Sequence, residues 1–392
     1  MRTVEEHASI VSALLRPTPV IEVPLREAVG LVLAEDLRAG LDLPPFRNSA
    51  MDGYAVRAVD LTGFPIELPV SQDIPAGRKD VTDLTPGTAA RIMTGAPLPD
   101  NADTIVQVEK TDGGEHVVVI SDAPPAGIHI RTRGEDITVG TVALPAGTVV
   151  GATQIGVAAA LGRATLRVRR PLHVLILSTG TELVAPGQDL EPGQIYESNS
   201  AMLAAAVEEA GGSASVAHFV TDDVTEFNSA LAAVDADLII TSGGVSAGAY
   251  EVVKDALTGQ GVEFAKVAMQ PGMPQGAGHV GQIPIVTLPG NPVSSYVSFE
   301  VFLRPAVRAA MGLPNITRPA LRLPLATALD SPPGKRQFRR GTVDTQLGTV
   351  APWGGPGSHL LAWLAGADAI IVVPEATTRL ESGELVEVWV LD

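Results

Sequence analysis

The chain has 392 residues, 45% apolar and 18% charged, and a formal net charge of −17. That length exceeds one ordinary core, and the composition excludes a disordered chain. The negative charge argues against a nucleic-acid duplex or an anionic membrane surface as the main partner, since both would be repelled at long range.

Residues 4–15 place Val4, Ile10, Val11, Leu14 and Leu15 at helical intervals behind Thr3, with Glu6 three residues after that cap and Pro17 and Pro19 ending the pattern. The spacing predicts a short helix. This segment lacks the apolar stretch of a signal peptide, and no later run approaches the roughly 18 apolar residues of a membrane span. A cytoplasmic protein is expected, without membrane insertion or a nucleic-acid partner. The absence of cysteine removes disulfides, thiolate metal sites and cysteine nucleophiles together.

From about 41 to 150 the chain breaks into short β-like stretches, among them 104–108 and 117–120, separated by Pro and Gly. Residues 153–161 predict a helix and 164–168 a strand, and "RRP" at 169–171 marks a boundary. Strands at 172–177, 214–220, 238–241, 262–268 and 283–288 then alternate with helices near 199–210, at 223–234, from about 250 and at 293–311. Such alternation means a mostly parallel, doubly wound sheet covered on both faces. After a linker at 312–320, short strands close the chain. His173, inside a strand, reads as a core residue.

Three strands of the middle region run into unusual loops: "LILSTGTELVAPG" (175–187), "LIITSGGVSAGAYE" (238–251) and "IVTLPGNPVSSY" (285–296). Loops at the carboxyl ends of parallel strands share one rim, where ligands bind. Glycines there let successive N–H groups approach a ligand, and helix N-termini add partial positive charge, which suits phosphate or another oxyanion. The candidate ligand contacts are Ser178, Thr179 and Gly180 in the first loop. The second offers Ser242, Gly243, Gly244, Ser246, Gly248 and Glu251, and the third Pro289, Gly290, Asn291 and Pro292. The plain alternative is that each turn only joins a strand to a helix. Residues 244–248 also satisfy G-x-S-x-G, which would make Ser246 a hydrolase nucleophile with His279 or His359 as base. That elbow needs its sharp turn at the serine, whereas Ser242-Gly243 already break the strand. Neither a P-loop nor a dinucleotide fingerprint is present.

The β-rich region adds acids in turn settings, Asp52 before Gly53 and the pair Glu135-Asp136, with Arg131 and Arg133 nearby; Glu182 in "STGTEL" lies on the opposite rim. Carboxylates are hard oxygen ligands suited to Mg2+, although each of these alone also reads as a turn former.

In order, "NSAMDGYAV", "RIMTGAPLP" with "ADTIVQVE", "RGEDI", "LSTGTELVAPG" with "GQIYESNSAML", "SGGVSAG", "LPGNPVSS", "KRQFRRG" and "GSHL" give the chain a close resemblance to the molybdopterin molybdenumtransferases, the MoeA family that includes the E domain of gephyrin. The resemblance covers nearly the whole chain. It implies an α/β plus β protein, elongated and multidomain: a discontinuous α/β linker domain (1–40 and 130–168) and a β-rich inserted domain (41–129). A molybdopterin-binding α/β domain (169–313) and a C-terminal β-barrel-like domain (314–392) follow. It also implies a homodimer with its active site between subunits, and Mg2+-assisted conversion of adenylylated molybdopterin and molybdate into the metal-loaded cofactor and AMP. By the same resemblance Asp52, Thr94, Asp136 and Glu182 serve the molybdate and metal side, with Asp52, Glu182 and Glu251 as Mg2+ ligands. Ser246, Pro289, Asn291 and Pro292 line the pterin and nucleotide pocket, and Arg340 and Ser358 reach in from the last domain.

Two positions depart from the family pattern. Ala249 stands where an acid is usual, with Glu251 at the second acidic position, and Met273 in "QPGMPQG" stands where a lysine is usual. A rival expectation follows: a gephyrin-like scaffold that binds peptides of partner proteins, such as a receptor tail or a tubulin-like filament.

Overall fold

The computed structural model describes residues 1–180, 182–219, 235–243 and 257–391, so the helices expected at 223–234 and from about 250 lie outside the described residues. The chain divides into two compact units. The first comprises Met1–Val23, Gly30–Ala34 and Arg167–Asp392, and the second Pro24–Val29 and Glu35–Leu166.

Helix α1 (Val4–Leu14) begins with the expected capping box, Thr3 accepting from the Glu6 amide while Glu6 accepts from the Thr3 amide. Two otherwise orphaned donors are thereby satisfied. Its buried face carries Val4, His7 and Val11.

The second unit is built on a five-stranded sheet of β1 (Gly53–Val56), β2 (Ile66–Ile74), β3 (Ala89–Ile92), β4 (Thr104–Gln107) and β5 (Val117–Ile120), in the order β4-β1-β3-β2-β5. Apolar residues fill both faces. Ala55, Ile74, Ile92 and Ile105 form one cluster, and Tyr54, Val56, Leu68 and Val106 another. A Cβ on Gly53 would stand 1.9 Å from the Val106 carbonyl oxygen, so only glycine allows β1 to pair at this point. Asp52 is thereby fixed at the mouth of the turn. Helix α2 (Ala152–Ala160) follows.

In the first unit, β6 (His173–Thr179), α3 (Asn199–Glu209), β7 (Ser213–Phe219), β8 (Leu238–Ser242), β9 (Val262–Lys266), β10 (Pro274–Val280) and β11 (Ile283–Leu288) build the α/β layer. Its sheet order is β7-β6-β8-β11-β10-β9. The first four strands are parallel, and β10 and β9 are antiparallel additions at one edge. His173 is half-buried, with its ring nitrogens on Ser213 and Ser215.

The helix expected over 293–311 runs unbroken over residues 292–310, as α4 (Pro292–Ser298), a π turn (Phe299–Leu303) and α5 (Arg304–Ala310). Pro305, which has no N–H to return to the preceding turn, accounts for the π turn. The last region forms a sheet of β12 (Ala320–Pro324), β13 (Arg336–Asp344), β14 (Ala369–Val373) and β15 (Leu385–Val390), in the order β13-β14-β15-β12 with the short strand Met269–Gln270 on β13. Phe338, Ile370 and Val372 of this sheet enter the same apolar cluster as Val4, Ile176 and Phe302, which ties α1, the α/β layer and the C-terminal sheet into one unit.

Candidate functional site

Ser178 pairs in register with Ser242, and Ser242 with Leu288, so β6, β8 and β11 end level. Their loops accordingly start from one rim. A cavity of about 1110 Å³ opens there, lined on this side by Glu182, Gly243, Pro289, Gly290, Asn291 and Pro292. Asn199, at the start of α3, laces the rim together by donating from Nδ2 to Ser242 Oγ (2.8 Å) and to the Gly290 carbonyl (2.7 Å). Ser242 is buried and within 3.2 Å of Ser295 Oγ, which itself donates to the Pro289 carbonyl. Ser242, although buried, also lines the cavity. Ser178 is likewise buried. Gly180 adopts φ +153°, and a side chain there would stand within 2.6 Å of the Glu182 carboxylate. Glycine leaves Glu182 room to occupy the cavity mouth.

The facing wall comes from the antiparallel edge and its turn: Lys266, Gln270, Met273 and Gln275. Gln275 is buried, and its Nε2 donates to the Gly272 carbonyl and to Ser298 Oγ, both at 2.7 Å. A third wall is the segment after β13, contributing Pro356, Ser358, His359 and Leu361. Ser358 is pinned to the β11 loop, its Oγ accepting from Asn291 Nδ2 (2.9 Å) and its carbonyl from the Val293 amide (3.1 Å). Arg340 is 5% exposed and is not a lining residue. Its guanidinium instead donates to the carbonyls of Gly357 (3.2 Å), Leu360 (3.1 Å) and Gly355, bracing the wall from beneath.

In the second unit, Asp52 is exposed and its Oδ1 accepts from the Thr94 amide (2.6 Å) and hydroxyl (2.7 Å). The Thr94 backbone bond, and then its hydroxyl, hold the Asp52 carboxyl below its usual range. Asp136 is exposed, and its amide donates to the Leu43 carbonyl (2.9 Å). Gly244, Ser246, Gly248 and Glu251 lie outside the described residues, as does the Thr179 side chain.

Sequence reasoning overlooked Lys266 as a cavity residue and placed Glu197 and Asn199 only inside a motif. Glu197 caps α3 through the Ser200 amide (2.9 Å) while lining the cavity, so its signal was that of a cap. Lys266 ends a β-strand, and only the antiparallel pairing of β9 with β10 carries it beside Met273. Among the described residues no group of three or more His, Cys, Asp or Glu is placed to hold a metal ion, and no helix is long and apolar enough to cross a membrane.

A mostly parallel α/β layer with a deep cavity at its carboxyl rim defines a small-ligand-binding module flanked by β modules. Residues 175–309 match the model described as a probable molybdopterin binding domain, residues 2–162 the MoeA N-terminal region (domains I and II), and residues 322–391 the MoeA C-terminal region (domain IV). The chain is 55% identical to molybdopterin molybdenumtransferase 2 of Mycobacterium tuberculosis H37Rv, with 99% of each chain covered. It is 36% identical to molybdopterin molybdenumtransferase 1 of the same strain, over 99% of this chain and 98% of the relative. A crystal structure of the molybdopterin biosynthesis MoeA protein of Pyrococcus horikosii superposes with a TM-score of 0.85 at 29% identity, covering 100% of this chain and 99% of that one. The chain belongs to the MoeA family.

Proposed function

We propose that the protein is a molybdopterin molybdenumtransferase acting in molybdenum cofactor biosynthesis, which converts adenylylated molybdopterin and molybdate into the metal-loaded cofactor with release of AMP. The observation that carries this reading is the cavity of about 1110 Å³ at the level ends of β6, β8 and β11, large enough for a nucleotide-linked pterin and built from the family's own motifs. Backbone and hydroxyl donors from Gly290 and Ser358 suit an anionic ligand in a chain that carries net charge −17. Lys266 supplies the fixed cation on the facing wall, where Met273 offers none.

Mg2+ is commonly held by one or two carboxylates together with substrate phosphates. Glu182 at the cavity mouth fits that mode and is the residue that would hold it. When bound, the ion neutralises charge that develops on the departing phosphate. The chain itself orients the ligand between three walls, so catalysis is mainly positioning. The proposal includes a homodimer and a cytoplasmic location. The scaffold alternative is not favoured, since the full-length relatives bear the name of an enzyme.

The test is incubation of the purified chain with adenylylated molybdopterin, Mg2+ and molybdate. Molybdate-dependent AMP release is expected; AMP levels indifferent to molybdate would overturn the proposal.

A further inference from the structure

Among the described residues lining the cavity, two carry aromatic side chains of the Phe, Tyr or Trp type, Phe264 and Tyr196, and the fold holds them differently. Phe264, in β9, is half-buried, and a Cβ on Gly276 of the neighbouring β10 would stand 2.9 Å from its ring carbons. That ring is packed on its own sheet. Tyr196 is 45% exposed, with Ile195 beside it at 55%. A ring left this open at the wall of a cavity forgoes the burial that would stabilise it in a core.

The exposed tyrosine is nevertheless held in place. Residues Ile195–Tyr196 pair in parallel with Leu183–Val184, Val184 standing opposite Tyr196. The Ile195 amide donates to the Glu182 carbonyl and the Glu197 amide to the Val184 carbonyl, both at 2.9 Å, so the main chain is fixed on either side of Tyr196. The Tyr196 hydroxyl donates to the Gln188 carbonyl at 2.8 Å. A tyrosine has two side-chain torsions, and a bond at its tip restrains both. With the polar tip satisfied, the part of Tyr196 left to meet a ligand is the face of the ring.

We infer that Tyr196 is a specificity-determining residue whose ring stacks on a planar heteroaromatic ring of the ligand. Stacking of this kind selects for a flat, delocalised partner rather than for charge. The ligand proposed above carries two such rings, adenine and pterin, and the inference rests on that reading of the cavity. Glu182 lies on the strand that pairs with Tyr196, so one small ribbon presents a carboxylate for the metal and phosphate end of the ligand and an aromatic face for a ring. An aliphatic side chain of similar bulk would cover the ring without offering that face.

The test is calorimetric titration of the full-length chain with AMP, which carries adenine alone, and with free pterin, comparing the natural protein with Tyr196→Phe, Tyr196→Leu and Tyr196→Ala. Tyr196→Phe keeps the ring and is expected to bind nearly as tightly as the natural chain. Tyr196→Leu and Tyr196→Ala are expected to bind at least one of the two ligands about tenfold more weakly, and the ligand affected identifies the ring that stacks. Leucine and natural proteins of equal affinity for both ligands would show that apolar cover suffices and overturn the stacking. A phenylalanine variant as weak as the alanine variant would overturn it too, making the hydroxyl bond to Gln188 the decisive feature. Binding of neither ligand by the natural chain overturns the nucleotide-linked pterin reading of the cavity and this inference with it.

Discussion

Asp52 is held by two donors from a single residue, and both fall on the same carboxylate oxygen, Oδ1. The carboxyl is therefore kept ionised, and Oδ2 is left for other partners. The β-turn that carries it depends on Gly53, whose hydrogen side chain permits the close approach to Val106, while Asp52 itself is exposed. Its replacement should thus affect chemistry rather than folding. Asp52→Asn, which keeps the shape and removes the charge, is expected to lower molybdate-dependent AMP release by about 100-fold. Its stability should change little, as for other surface changes. Turnover equal to that of the natural chain, measured alongside a chemical denaturation curve, would remove Asp52 from the reaction. The residue's candidacy was legible in sequence because Asp-Gly inside a motif is a local pattern. Thr94 is grouped with it only by the family resemblance; the hydrogen bond between them was not legible, because Thr94 lies 42 residues away and the contact is made only once the second unit has folded.

At the scale of elements, the wall formed by residues 355–361 has no regular structure until the short helix at Leu361–Ala365, so its shape rests on the bonds made to it. Arg340 in β13 satisfies three of its carbonyls from a site that is 5% exposed, and Ser358 fastens its far side to the β11 loop. Deleting the guanidinium removes the donors from three carbonyls of half-buried or exposed residues, a loss that water makes good in part. Arg340→Ala is expected to speed amide hydrogen exchange across 355–361 and to weaken AMP binding about tenfold. Arg340→Lys, with one ammonium in place of a planar fork, should recover only part of this. Unchanged exchange in that segment, alongside weakened binding, would mean that Arg340 meets the ligand directly. Residues 335–341 stand out in the sequence only as the motif "KRQFRRG", which does not reveal which distant loop a side chain supports. A similar gap explains β10. Its "PQGAGHV" carries the glycines that usually mark a turn, yet a Cβ on Gly276 would lie 2.2 Å from Thr287 Oγ1 and one on Gly278 2.1 Å from the Gly261 carbonyl. Gly278 marks a close approach of backbones and Gly276 makes room for neighbouring side chains, neither of which single-sequence periodicity can separate from turn propensity.

At the scale of the molecule, the sequence conveys the α/β alternation well, because apolar runs such as "LHVLIL" and "IPIVTL" are long enough to be strands buried on both faces. It conveys less well that α1 belongs with that layer, since an amphipathic helix does not name the surface it will cover. In the first unit the apolar cluster runs from Val4 and Val11 through Phe302 to Phe338 and Ile370, and His7 sits inside it. The His7 ring meets Phe302 edge-on at 4.7 Å, and Arg2 Nη1 lies 3.3 Å from its Nδ1. Burial first, and then the Arg2 charge, push the His7 pKa down to about 4, with Glu263 opposing. The folded state thus holds His7 neutral where the unfolded chain, with a pKa of about 6.5, takes up a proton. The sign follows: this term is fully present above about pH 6.5 and is lost as pH falls toward 4, reaching roughly 3 kcal/mol at its largest. A carboxylate whose pKa is lowered, such as Asp237, loses its own contribution further into the acid. His7→Leu, which keeps an apolar side chain in the cluster and removes the titrating group, is expected to be less stable than the natural chain at pH 7.5 yet to lose less on acidification to pH 4.5. Urea midpoints at the two pH values measure this directly, and an equal acid-induced drop in both proteins would exclude His7 as the source of the decline.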